Sequence, residues 1–436
     1  LVHDFLRLGP AVALCLIGIA LIYGVCVPVE GSPERLYWRR QVAFLVLGLL
    51  GYAVIAKAYF RIASQRVAMW VLYGTFCVGL LVLVLFIGRS TGNGLRWLPL
   101  APGIAIQPAE FAKVVLIWVV AELVNPPVTV DRVGRLRRYL LALLAVVIPA
   151  ALVCLERSMG NTALLCASVG VVLCLRWLSW PALAIALAAG VVFLAPFALE
   201  IARIRNPTPG VNMARYEALE GRSDPERLPM GLTPREVSTA IAPKGATGLL
   251  SHCPDRIACY LSQAGGWNAR QALRCIRIGG IDGAGYRAGN ITILGYLPRT
   301  VQHTDFIYCV LSESYGFWGA LVVLGLITWL LVAILWFGAR SASPAAWSFS
   351  VGFATLIFLQ TAIHVGMALR LLPIIGIPLP FVSYGGTFLL TSFAALGVVA
   401  RYDSPLAVPM PAPAPAPAPA RLPEDRRLRQ PELTPA

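Results

Sequence analysis

"HTDFIYCVLSESYGFWGALVVLGLITWLLVAILWF", His303 to Phe337, decides the fold class. From Phe306 onward its one charged residue is Glu313. A bilayer's hydrocarbon is crossed by roughly 20 mostly apolar helical residues. In lipid, a helix satisfies its own N–H and C=O groups. The stretch therefore predicts a membrane-spanning helix over 306–337. Charge at the edge of hydrocarbon costs free energy, so His303, Asp305 and Glu313 require a purpose.

Similar runs recur near 9–29, 42–60, 68–88, 109–126, 139–156, 159–177, 180–201, 346–370 and 381–400. Ser158, Gly160 and Asn161 supply the turn that divides 139–177 into two spans. The chain has 436 residues, 58% hydrophobic and 13% charged, with mean hydropathy +0.73. This is far from a soluble average. The expectation is an all-α polytopic membrane protein of about ten transmembrane helices. The first run continues for about 20 residues behind a weak basic region, which suits a spanning helix better than a cleaved signal. An even number of spans puts both termini on one side. With the termini cytoplasmic, roughly 11 basic residues fall on inside loops and about 7 outside, Arg132, Arg135, Arg137 and Arg138 contributing most. The net charge of +15 then reflects topology and the tail rather than nucleic-acid binding.

A transmembrane domain over 1–402 contains one long polar insertion, 202–300, between the seventh and eighth spans and outside the cytoplasm. A loop of this length is usually functional or disordered, and no helical or strand period persists through it. Its second half, "GGWNARQALRCIRIGGIDGAGYRAGN" (265–290), has a lid-like composition. Of ten cysteines, Cys253, Cys259 and Cys275 lie in this loop, where one disulfide and one spare thiol are possible; beside lone His252 they make a poor metal site. Residues 403–436 form a Pro/Ala-rich basic tail, "PMPAPAPAPAPA" followed by "RLPEDRRLRQ", which cannot build a core and suits disorder beside anionic lipid.

Three polar constellations stand out. On one continuous helix Ser312 would lie nearly above Asp305, with Glu313 about 80° away, so acid, hydroxyl and acid would share a face at the membrane surface. Asp305 could serve as a carboxylate base facing a cavity, or could merely cap the helix with Thr304. In "GNGLRWLPLAPGIAIQPAEFAKVVL", Arg96 and Trp97 follow glycines at an outer edge, while Glu110 and Lys113 are three apart and able to pair. They could form a neutralised structural pair or an anion-binding group for a lipid-linked phosphate. In "GIPLPFVSYGGTFLL", Pro378 and Pro380 keep the chain extended before Ser383, Tyr384, Gly385 and Gly386 open the last span. There is no Walker A, dinucleotide-binding or zinc-protease pattern, so the activated group must come from the substrate or a gradient.

Three stretches in this order, "QPAEFAK" (107–113), "HTDFIYCVLSESYGFWG" (303–319) and "GIPLPFVSYGGT" (376–387), resemble the SEDS family, whose members include FtsW, RodA and SpoVE. The resemblance extends to about residue 402. It implies a peptidoglycan glycosyltransferase that polymerises lipid II, the undecaprenyl-diphosphate-linked disaccharide-pentapeptide, at the outer face of the bacterial cytoplasmic membrane. It also implies a class B penicillin-binding protein as transpeptidase partner. The family's essential acid matches Asp305, the expected catalytic base. Arg96, Trp97, Glu110, Lys113, His303, Glu313, Ser383 and Tyr384 are the expected substrate-binding residues. Arg96, Lys113 or a divalent metal would stabilise the leaving diphosphate.

The sequence also departs from the family. The usual P-D-x-G-T after the fifth span reads Arg157, Ser158, Met159, Gly160, Asn161, without the acid. The glutamate before "HTDF" is missing, paired glutamates are reduced to Glu313 and Ser314, and a glycine before the last prolines is Arg370. A flippase is one alternative, but it needs polar groups through the full depth of the membrane. A scaffold for a transpeptidase is another, favoured by Ser158 and opposed by Asp305 and Lys113. Whether the chain serves elongation, division or sporulation is open at this level.

Overall fold

The structure is a computed structural model that describes residues 2–26, 33–57, 62–91, 94–101, 104–126, 130–176, 267–293, 297 and 299–403. The expected seventh span, the insertion up to residue 266 with Cys253 and Cys259, and the tail from 404 lie outside the described residues.

The elements are α1 (Val2–Cys26), α2 (Tyr37–Lys57), α3 (Ile62–Leu72), a π-helical stretch (Tyr73–Gly79) and α4 (Leu80–Ile87). Then come β1 (Arg89–Thr91), β2 (Gly94–Ala101), β3 (Ile104–Ile106), α5 (Pro108–Val124), α6 (Arg132–Leu155) and α7 (Met159–Arg176). After the insertion come α8 (Trp267–Gly279), α9 (Asn290–Ile293), α10 (Arg299–Gln302), α11 (Ile307–Arg340), α12 (Pro344–Ala368) and α13 (Gly386–Asp403). Among the described residues six helical stretches are long and apolar enough to cross a membrane: His3–Cys26, Tyr37–Lys57, Val67–Ile87, Arg132–Leu155, Ile307–Arg340 and Pro344–Ala368. The shorter α5 is a central helix with twelve of its 17 residues buried, so neighbouring helices surround it rather than lipid.

The ends of the bundle are fixed by polar contacts. At one end Arg7 of α1 pairs with Asp403 of α13 at 3.1 Å, and Tyr52 of α2 donates to Asp4 at 2.7 Å. Asn125, after α5, donates to Ser348 near the start of α12 at 2.9 Å. The opposite end carries the sheet, the α6–α7 turn, α8 to α10 and residues 369–385. Both described ends of the chain therefore meet on one side, as an even number of spans predicts.

The fold is helical in class, with one addition. β1, β2 and β3 form a small antiparallel sheet, with Arg89 opposite Trp97 and Leu98 opposite Ile106. Turn-forming Gly92-Asn93 and Pro102-Gly103 flank β2 in the sequence and are its local signal.

The long helix α11 is broken. Thirty-four helical residues would span about 51 Å, against roughly 30 Å of hydrocarbon. Gly316, at φ 60° and ψ −153°, interrupts it. The freed backbone groups are taken by the segment after α8. Ala284 N–H donates to Glu313 C=O at 2.8 Å, Gly285 N–H to Ser314 C=O at 3.0 Å, and Phe317 N–H to Gly280 C=O at 2.9 Å. The expected lid-like half of the insertion is thus docked into the break of a helix. α8 buries Gln271, Ala272, Cys275 and Gly279 along one stripe and exposes Arg274 and Arg277. That helical period was present in the sequence over too few turns to stand out from a long polar segment.

Candidate functional site

Asp305 lies in a turn, residues 303–306, between α10 and α11. The position capping α11 is Phe306, and no side chain caps it there. Asp305, Ser312 and Glu313 therefore do not form the expected single helical face, because the helix begins two residues after Asp305. Ser312 donates to Tyr308 C=O at 2.8 Å. Glu313 is fully buried and accepts Ile291 N–H at 2.7 Å and Thr292 N–H at 3.1 Å, so it pins α9 onto α11.

The turn around Asp305 is held by the last conserved-looking stretch of the sequence reading, 376–387. Gly376, at φ 79°, lies against the carboxylate: a Cβ there would stand 3.4 Å from Asp305 Oδ2. Ser383 Oγ donates to Thr304 C=O at 2.7 Å and accepts Leu379 N–H at 2.8 Å. Tyr384 N–H donates to His303 C=O at 2.9 Å. Buried His303 packs its ring 4.8 Å from Tyr37 and 5.6 Å from Tyr384, and Tyr37 stacks on Tyr384 at 4.5 Å. Gln41, four residues after Tyr37 on α2, donates to Ser383 C=O at 3.2 Å. Tyr37 and Gln41 were missed in the sequence because no local spacing connects α2 with residues 303 or 384.

Glu110 and Lys113 form the expected pair at 2.8 Å, with side chains 5% and 1% exposed. Pro108 opens α5, and Glu110 sits in its first turn, where the helix dipole favours an acid. Lys113 also donates to Asn161 Oδ1 at 3.1 Å, and Asn161 Nδ2 donates to Ser158 Oγ at 3.1 Å. Gln107 N–H donates to Thr387 Oγ1 at 3.2 Å, and Gly160 packs on Ile375 and Ile377. The segment 375–377 thus lies between this network and Asp305.

Arg96 and Trp97 stand on β2, both half-buried. Arg96 Nη2 donates to Arg157 C=O, tying the sheet to the α6–α7 turn. That turn is a Schellman cap: Arg157 N–H bonds Cys154 C=O at 2.9 Å, and Ser158 N–H bonds Val153 C=O at 3.3 Å. Arg157 takes φ 58°, which proline cannot adopt, so the turn differs from one carrying the family's proline. It also brings in buried Glu156, a carboxyl two residues before Ser158, which the sequence reading missed. Burial raises its pKa to about 8, against the opposing field of Arg96.

The arrangement matches known proteins closely. The family model FTSW_RODA_SPOVE, described as cell cycle protein, fits residues 7–208 and 250–406. This chain belongs to the FtsW/RodA/SpoVE family. The FtsW/RodA/SpoVE chain is 28% identical over 398 residues to the peptidoglycan glycosyltransferase MrdB of Escherichia coli K12, covering 91% of this chain and 93% of that one. It is 29% identical over 414 residues to the probable peptidoglycan glycosyltransferase FtsW of Enterococcus hirae, covering 91% and 92%. The fold is shared with Thermus thermophilus RodA, TM-score 0.56 and 21% identity over 92% of this chain and 96% of that one. A chain of a peptidoglycan synthase complex, described as coordinating polymerization and crosslinking, gives TM-score 0.62 and 23% identity over 91% and 96%.

Proposed function

We infer that this chain is a peptidoglycan glycosyltransferase that polymerises lipid II at the outer face of the bacterial cytoplasmic membrane, with both termini cytoplasmic. One observation carries the assignment of the base. Asp305 sits at the end of the bundle opposite the chain's described ends, in a turn bonded to 376–387 rather than within a helix. The Glu110–Lys113 pair and Arg96 lie at that same end.

In this function Asp305 removes the proton of an acceptor sugar hydroxyl, a poor nucleophile until a nearby base assists it. The oxygen attacks the donor's anomeric carbon and expels the lipid diphosphate, inverting the centre. Lys113 and Arg96 supply positive charge for that leaving group. Glu110 keeps Lys113 charged and oriented. His303, Tyr37 and Tyr384 form an aromatic wall beside the base. Among the described residues no group of three or more His, Cys, Asp or Glu side chains is placed to hold a metal ion, and no step is routed through one. The partner of this chain is a class B penicillin-binding protein that crosslinks the product; the synthase complex sharing this fold supports that pairing.

The test is purified full-length protein, with and without a transpeptidase, supplied with labelled lipid II, and the products resolved on a gel. Polymer from the parent and none from Asp305→Asn is the expected result. Lipid II left unpolymerised by the parent under both conditions sinks the assignment.

A further inference from the structure

Glu156 is fully buried, and neither carboxylate oxygen has a hydrogen-bond partner among the described residues. A buried polar group left unpaired costs about 1–3 kcal/mol. Native proteins rarely leave such a group without a role or a missing partner. The backbone of the turn does not use it, since the Schellman bonds close that end of α6. The charged and titratable groups around it are Arg96 from β2, Arg157 and Cys154 in its own segment, and the Glu110–Lys113 pair of α5 beyond Asn161 of α7.

With its pKa near 8, the buried carboxyl keeps its proton at neutral pH and is an O–H donor. Arg96 and Lys113 are donors without acceptors. Three donors at one end of the bundle call for a ligand rich in acceptors, which is an oxyanion. Resting on the glycosyltransferase function above, we propose that Glu156, together with Arg96, receives the diphosphate of the lipid-linked substrate as a neutral hydrogen-bond donor. The arrangement carries its own pH dependence. Above the range where the acid is protonated, Glu156 becomes an anion and repels the diphosphate.

The experiment measures direct binding of undecaprenyl diphosphate and of lipid II to the full-length protein in lipid nanodiscs at pH 7 and pH 9. Glu156→Leu is expected to weaken both ligands about tenfold at pH 7, the scale of one hydrogen bond to a charged group. The parent is expected to lose affinity between pH 7 and pH 9. Glu156→Gln, which retains a neutral donor, should recover most of the affinity lost in Glu156→Leu and hold it across that range. Thermal unfolding of each variant separates lost folding from lost binding. If Glu156→Leu does not fold, the pH profile of Glu156→Gln decides alone: a fall matching the parent's overturns the proposal. Undiminished diphosphate binding by folded Glu156→Leu also overturns it, as does a loss confined to lipid II. A parent that binds the diphosphate through Glu156 but makes no polymer supports this site and overturns the glycosyltransferase function.

Discussion

Asp305→Asn keeps the size of the side chain and removes its capacity to take a proton. Polymerisation should vanish while protein level and partner binding stay near normal, which immunoblotting and co-purification check. Asp305→Glu moves the carboxylate by roughly 1 Å, a displacement that can cost on the order of 100-fold in rate. Lys113→Ala would strand Glu110 in a buried site at a cost of about 3–5 kcal/mol. It should lower thermal stability and activity together, whereas the double change Glu110→Gln, Lys113→Met should be less damaging than the sum of its parts. Additive, mild effects would mean that the two residues do not depend on each other. Arg370 follows α12 at φ 58° and closes a second Schellman cap, bonding Met367 C=O at 3.2 Å. Glycine adopts that conformation without the side-chain penalty, so Arg370→Gly should stabilise the protein by about 1 kcal/mol. An unfolding midpoint at or below the parent's would show that the arginine side chain contributes more than its backbone costs.

Among the elements, the broken α11 decides how the insertion meets the bundle. Gly316 has positive φ, and a Cβ on it would run into the backbone at Ile281 and Gly283. Gly316→Ala should therefore release the segment 280–285 from the break, at a cost of about 1–3 kcal/mol for the strained backbone. Faster amide exchange over 279–289 and reduced polymerisation are the expected readouts. Parent-like exchange would mean that the break tolerates a side chain. Tyr286 strengthens the docking by donating to Ala20 C=O of α1 at 2.8 Å. The segment thereby connects α1 and α11, which are distant in sequence, on the same side as Asp305.

At the scale of the molecule, the parity of spans and the basic-residue asymmetry place the insertion outside the cytoplasm. A thiol reagent that cannot cross membranes should label Ala246→Cys in whole cells, above the background of the ten native cysteines. Labelling that required lysis would reverse the orientation and move the site to the wrong face for lipid II. The described ends meeting through Arg7 and Asp403 agree with the even count.

Hydropathy in the sequence was enough to establish the helical membrane class and, within a few residues, the described spans, because a chain in hydrocarbon must satisfy its backbone locally. The three-residue spacing of Glu110 and Lys113 likewise announced their pair, since neighbours on one helix face need no knowledge of the fold. What joins Asp305 to Gly376, Lys113 to Asn161, or Tyr37 to Tyr384 is contact between segments far apart in the chain, which no local period encodes. The misplacement of Glu313 has the same origin. From the sequence it is an acid facing the substrate, but only the docking of α9 decides that its two oxygens go to backbone amides. Glu156 was equally illegible, because its meaning lies in burial without a partner, and burial is settled only when α6, α7 and the sheet come together.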